Sequence, residues 1–321
     1  MEKIKIAFKH FPREAARGDD FFRNFLKKHF NTIESNDPKY VFFSAFTKEK
    51  GERKMPNLEG NFTKIFWTGE NIRVDMKKCD YAFGFEYEEE MNNENYVRLP
   101  LYAYYGAGID LTRKKSPEEI EGEKKKFCAY AYSKDAKERV EFFNELSKYK
   151  RIDAPGKSMN NSPPIKSGSL GFIINPMQGL EHLILKKRVF STLIQRHFSN
   201  WRKDVINYQR DYKFTIAFEN STYPGYTTEK IYHPMLADSI PIYWGNPEIS
   251  REFNTKSFIN YFDYNDTKKV VDRVIEIDTN REKYLQMLAQ PWFNGNNPNK
   301  WCKEDRIVKQ FERIFGVKAW A

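Results

Sequence analysis

The chain has little cysteine: three in 321 residues, Cys79, Cys128 and Cys302, with no paired spacing among them. That excludes a disulfide scaffold and a cysteine-based zinc module, and an odd, low count fits a reducing compartment. The five histidines, His10, His29, His182, His197 and His233, include no pair at metal-ligand spacing. No stretch approaches the roughly 18 apolar residues of a membrane span. Residues 1–6 have no apolar run of signal-peptide length. A Walker-type phosphate loop, the GxGxxG fingerprint, the GxSxG elbow and an Asp-x-Asp pair are all missing. The corresponding P-loop, dinucleotide-binding and α/β-hydrolase classes are therefore unsupported, and a diphosphate held through a metal has no obvious ligands. The looser triplets Glu86-Tyr87-Glu88 and Glu276-Ile277-Asp278 sit in charged or helical stretches and are expected to be solvated.

Aromatic residues, by contrast, are plentiful: 27 Phe and 19 Tyr within an aromatic share of 16%. So many rings require a packed core. Net charge is +10, which fits nucleic acid, a phosphorylated small molecule or an anionic membrane surface. The basic runs Arg113-Lys114-Lys115 and Lys124-Lys125-Lys126 read as solvated faces. No nucleic-acid-binding motif is present, so no nucleic-acid partner is expected.

Apolar segments at Ile4 to Phe8, Tyr40 to Phe43, Lys64 to Trp67 and Asp80 to Phe85 read as strands, with a helix over Asp19 to Phe30. The polar stretch 113–126 reads as a linker, placing a domain boundary between 1–122 and 123–321. Beyond it come a strand at Phe127 to Tyr132, a helix at Ser133 to Tyr149 capped by Ser133, and a loop from Asp153 to Gly171. Leu180 to Phe198 has helical periodicity. Lys213 to Phe218, Pro241 to Trp244 and Phe258 to Asn260 read as strands; Thr228 to Ala237, Lys268 to Ile277 and Asp305 to Phe315 read as helices. Alternating strands and helices define an α/β fold.

Three places carry candidate chemistry. After the strand ending at Phe218 come Glu219-Asn220-Ser221 and then Tyr226-Thr227-Thr228-Glu229-Lys230, a helix start at which Thr227 or Thr228 is the cap. Backbone N–H groups with a lysine in the first turn suit a diphosphate, although a plain helix start with a surface lysine fits equally well. Glu70, in Thr68-Gly69-Glu70-Asn71, projects from a strand end as either a general base or a capping carboxylate. Arg139 follows another strand and suits either phosphate or an ion pair with Asp135.

The segments Lys213 to Ser221, Tyr226 to Lys230 and Pro241-Ile242-Tyr243-Trp244-Gly245 resemble the signature of the α-1,3/4-fucosyltransferases, glycosyltransferase family ten. Phe66 to Asn71, Asp80 to Phe85 and Arg98-Leu99-Pro100-Leu101-Tyr102 resemble the first domain of its bacterial members. The resemblance implies a GT-B fold, two Rossmann-like domains facing each other across a cleft. Residues 1–122 would hold the acceptor and 123–321 the GDP-fucose, with the last helix packing back on the first domain. It implies inverting transfer of L-fucose to an N-acetylglucosamine-containing glycan, an oligosaccharide acceptor of the N-acetyllactosamine type, through an α-1,3 linkage with α-1,4 left open. A GT-B enzyme using another nucleotide sugar is the alternative. Glu70 matches the general base, Arg139 and Lys230 the diphosphate cations, and Asn220, Tyr226 and Glu229 donor-binding positions. No cofactor or metal is implied, a divalent ion being at most stimulatory. For a bacterial chain the implied location is the cytoplasm or the periphery of the cytoplasmic membrane. The segment 162–211 departs from the bacterial pattern and is expected to reshape the acceptor cleft.

Overall fold

The computed structural model describes residues 2–11, 21–46, 54–106, 115–165 and 201–320. Strands β1 (Ile4–Lys9), β2 (Thr32–Glu34), β3 (Tyr40–Phe43), β4 (Thr63–Trp67), β5 (Tyr81–Gly84) and β6 (Tyr96–Arg98) form a parallel sheet ordered β2-β1-β3-β4-β5-β6. Strands β7 (Lys126–Ala129), β8 (Ile152–Asp153), β9 (Tyr212–Phe218), β10 (Ile240–Trp244) and β11 (Ile259–Asn260) form a second parallel sheet, β11-β10-β9-β7-β8. Counted from its own first strand, the second sheet reads 2-1-3-4-5 and the first 2-1-3-4-5-6, the same doubly wound order with one strand added. Parallel strands are covered on both faces, so they read as continuous apolar runs; β3 and β10 are buried at every residue.

Helix Phe21–His29 buries Phe22, Phe25 and Leu26, one face at 3.6 periodicity. Helix Glu304–Phe315, at the far end of the chain, packs into the same core. The Phe311 ring lies 5.2 Å from Phe83, 5.7 Å from Phe25 and 5.8 Å from Phe42. Each ring buried this way contributes about 3 kcal/mol or more. Between the domains, helix Leu101–Gly106 packs on helix Glu229–Leu236. Tyr102 meets Phe253 edge-on at 5.0 Å. One apolar cluster thus runs from Phe42 and Trp67 to Tyr232, Met235 and Phe253. Two Rossmann-like domains facing each other in this way are the GT-B arrangement. No helix among the described residues is long and apolar enough to cross a membrane.

The structure corrects four readings. The polar stretch 113–126 contains helix Pro117–Glu123, whose Ile120 is buried in the second domain's core, so the boundary after residue 122 falls inside that helix. Ser133 is exposed and caps nothing; the helix is Lys137–Ser147, its preceding residue Ala136 offers no side-chain cap, and the Lys134 carbonyl is taken by Arg139 instead. Asp135 accepts from Ser158 Oγ at 2.6 Å rather than pairing with Arg139. The acid-x-acid triplets are solvated only in part: Glu86 is buried and accepts from the Val74 N–H, and the Asp278 carboxylate is enclosed between Lys150 and Lys213, whereas Glu88 and Glu276 stay partly exposed. The helical pattern at Leu180 to Phe198 lies outside the described residues.

Candidate active site

In the second sheet, β7 leads outward to β8 and its neighbour β9 leads the other way to β10. The carboxyl ends of β7 and β9 therefore flank a switch-point crevice, where doubly wound sheets bind ligands. Arg139 and Asn220 meet there. Arg139 is 2% exposed. Its Nε donates to the Phe218 carbonyl at 3.1 Å, its Nη1 to the Lys134 carbonyl at 3.2 Å and its Nη2 to Asn220 Oδ1 at 2.6 Å. The Tyr132 ring lies 4.0 Å beneath it. A guanidinium has five N–H donors in a rigid fork; three are used in holding it, leaving two for a ligand.

Glu219, the first residue after β9, is fully buried. It accepts from the Thr228 backbone N–H and hydroxyl, both at 2.7 Å. The chain comes close enough only because residue 245 is glycine: a Cβ there would lie 2.3 Å from Glu219 Cγ. Thr228, so anchored, is the cap of helix Glu229–Leu236, its hydroxyl accepting from the Lys230 N–H at 3.3 Å. Lys230 Nζ donates to Thr228 Oγ1 at 3.1 Å and lies 3.3 Å from Glu219 Oε2 and 3.6 Å from Glu229 Oε1. Burial alone would lower the Lys230 pKa, but Glu229 and Glu219 overcome it and raise it above the usual lysine value, so the ammonium is charged at neutral pH. Burial pushes the Glu229 pKa up, but Lys230, His233 and local hydrogen bonds together hold it below the usual carboxyl range, and its Oε2 is buried without a partner. Pro234 lies inside this helix and has no N–H to offer the Lys230 carbonyl.

Glu70 stands on the other wall. It follows β4 in a turn closed by its N–H on Thr68 Oγ1 at 3.1 Å and by the Ile72 N–H on its carbonyl at 2.7 Å. Its neighbour Asn71 crosses to the second domain and donates to Ser221 Oγ at 2.7 Å. Tyr226 lies within the field of Glu70; burial, then Glu219, and more weakly Glu70 push its phenol pKa up, so it is a neutral hydroxyl. The structure thus brings Arg139, Asn220, Tyr226, Glu229 and Lys230 to the second domain's edge, with Glu70 opposite. Glu219 escaped sequence reasoning as a site residue. Its signal was position: the first residue after a buried strand, inside the motif already singled out. Among the described residues no group of three or more His, Cys, Asp or Glu side chains is placed to hold a metal ion.

Two Rossmann-like domains facing each other place the chain in the class of GT-B glycosyltransferases. The chain belongs to glycosyltransferase family 10: the family described as "Glycosyltransferase family 10 (fucosyltransferase) C-term" matches residues 121–308, and "Alpha-(1,3)-fucosyltransferase FucT N-terminal domain" matches residues 6–105. The Helicobacter pylori protein named Alpha-(1,3)-fucosyltransferase FucT is 27% identical over 264 residues, 79% of this chain and 52% of that protein. A relative in Acanthamoeba polyphaga mimivirus is 34% identical over 171 residues, 52% of this chain and 24% of that protein. The chain therefore matches about half or less of the length of these relatives. A crystal structure of an α1,3-fucosyltransferase superposes with a TM-score of 0.72 at 21% identity, covering 98% of this chain and 90% of that one. The same kind of protein crystallised with GDP-fucose gives 0.70. At that identity the likeness establishes the fold.

Proposed function

We propose that the chain transfers L-fucose from GDP-fucose to a hydroxyl of an N-acetylglucosamine-containing glycan, with inversion, forming an α-1,3 linkage. What supports this reading is the family 10 match over both domains, together with two cations, Arg139 and Lys230, held by side-chain contacts at the second sheet's edge, and a carboxylate, Glu70, that follows a strand of the first sheet and acts on Tyr226 of the second domain. Inverting transfer needs a single in-line attack, the logic of an inverting glycosidase with a sugar hydroxyl in place of water. Glu70 removes the acceptor hydroxyl proton, the oxygen bonds to the fucose anomeric carbon, and the bond to the β-phosphate breaks with its electron pair leaving on GDP. Arg139 and Lys230 stabilise the charge that grows on the diphosphate. Asn220 orients Arg139, while Tyr226 and the free Glu229 Oε2 face donor hydroxyls. GDP is a good leaving group without protonation, and two cations take the part a metal takes elsewhere, so no metal is required.

The test is incubation with GDP-fucose and N-acetyllactosamine, reading GDP release and a fucosylated product by mass spectrometry. Nuclear magnetic resonance of that product gives anomer and linkage. Tighter binding of UDP than of GDP in a thermal-shift series would reject the donor.

A further inference from the structure

The loop 221–228 belongs to the second domain in sequence, yet the first domain grips it along its length. Asn71 holds Ser221. The Arg73 guanidinium lies 3.6 Å over the Tyr223 ring. Phe85 meets Tyr223 and Tyr226 edge-on at 5.8 and 5.2 Å. Arg98 Nη2 donates to the Gly225 carbonyl at 2.9 Å. Gly225 has φ +79°, and a Cβ there would lie 2.5 Å from the Phe85 carbonyl oxygen, so only glycine permits the approach.

At the base of this grip sits Glu252, 1% exposed. Its Oε1 accepts from Arg98 Nη2 at 2.7 Å, Tyr87 OH at 3.1 Å, Thr227 Oγ1 at 2.9 Å and Asn246 Nδ2 at 2.7 Å. Arg98 is wholly buried, its guanidinium 4.5 Å from the Tyr87 ring and 4.2 Å from the Trp301 ring. A buried ion pair is seldom a better stabiliser than apolar packing, because desolvation cancels most of the attraction. What this one does is fix geometry. Thr227 is bonded to Glu252, and the next residue is Thr228, which Glu219 holds as the cap beneath Lys230.

We propose that Arg98, a first-domain residue, is a positioning residue for the donor site: through Glu252 it sets the 221–228 loop, so that the site in the second domain is completed by the first. This rests on the GDP-fucose reading above. It predicts that donor affinity answers to a residue that touches neither donor nor acceptor.

The test compares wild type with Thr227→Val, which removes the hydroxyl bond to Glu252 and the one accepted from Asn246 Nδ2 at 3.1 Å with little change of shape, and with Arg98→Lys, which keeps the charge but not the fork. GDP affinity by calorimetry, GDP-fucose KM, acceptor KM and the melting temperature are read together. Thr227→Val is expected to melt close to wild type while its GDP Kd and GDP-fucose KM rise about tenfold, the loss of one hydrogen bond to a charged group. Arg98→Lys is expected to do at least as much to the donor and to leave acceptor KM within about twofold. The double variant should lose less than the product of the singles, because both act through one carboxylate. Wild-type donor parameters in Thr227→Val overturn the inference, whether or not Arg98→Lys folds; so does a lowered melting temperature in Arg98→Lys with donor KM unchanged. A wild-type protein that binds no GDP rejects the donor reading and this inference together.

Discussion

Around Glu70, at the carboxyl end of the first sheet, the side chains are aromatic. Phe11 and Tyr104 sandwich Trp67, with ring centroids at 5.7 and 4.5 Å and interplanar angles of 18° and 20°. At the same end of the second sheet they are charged: Arg139, Glu219, Glu229 and Lys230 lie within one hydrogen-bonded neighbourhood. The two sheets share a strand order, so topology did not decide this. What differs is how each edge is held. The first is fixed by ring packing and by the backbone turn that carries Glu70. The second is fixed by side-chain contacts that hold Arg139 and Lys230 in place. On the function proposed above, the caged cations at the second edge would take the diphosphate and the first edge the acceptor.

The change with the largest expected effect separates the two walls. Glu70→Gln keeps the shape of the first edge and removes its base. Turnover should fall about 10²–10⁴-fold, with GDP affinity by calorimetry within about twofold of wild type. Retained turnover would remove Glu70 from the chemistry; lost GDP affinity would show that the walls are not separable.

Lys230→Ala is the counterpart on the second wall. It should lower kcat/KM for GDP-fucose by about 10²–10³-fold, the effect of removing one preorganised charge-stabilising group, and weaken GDP binding. It also leaves Glu219 and Glu229 facing each other without the ammonium, so Glu219→Gln added to Lys230→Ala should restore part of the lost thermal stability. A Lys230→Ala variant with wild-type GDP affinity would break the comparison at its charged side.

The second wall should also make the protein sensitive to acid through His233, one turn beyond Glu229. Burial pushes its pKa down to about 4; Glu229 opposes this, and Arg202 and Lys230 reinforce it. The unfolded imidazole titrates near 6.5. Between these values the unfolded chain binds more protons, so the contribution is complete above about pH 6.5 and is lost as pH falls towards 4. At most it amounts to about 3 kcal/mol. Urea melts at pH 7 and pH 5 should differ in midpoint, and His233→Gln should shrink that difference. An unchanged difference would exclude His233 as its source.

Much of this was legible in the sequence where burial is two-sided. β3 and β10 are continuous apolar runs and were readable as such. β2, β6 and β8 are two or three residues long, too short for any period to register. Arg139, Asn220 and Lys230 follow strand ends, a position topology makes meaningful before any contact is known. The buried roles of Glu219 and of Arg98 with Glu252 were not legible. The last pair is 154 residues apart, and which carboxylate a distant arginine meets depends on domain packing that no local pattern encodes. Ser133 was misread because a serine before a periodic segment is a good cap only if the chain turns helical there, and Arg139 claims the Lys134 carbonyl instead.

The smallest effect concerns where the second domain begins. Helix Pro117–Glu123 opens with a capping box: Ser116 Oγ accepts from the Glu119 N–H at 3.2 Å, and the Ser116 N–H donates to Glu119 Oε2 at 2.7 Å. The helix seats Ile120, fully buried, in the second domain's core, just as helix Glu304–Phe315 seats Phe311 in the first. Each core is therefore completed by a helix from beside or beyond the domain boundary. Ser116→Ala removes one half of the box and should cost about 1 kcal/mol, or roughly 2–4 °C in melting temperature for a unit of this size. GDP affinity and turnover should stay at wild-type values, because the helix touches neither charged nor aromatic wall. A Ser116→Ala protein that melts as wild type would mean that the polar stretch is a linker after all and that the second domain stands without it.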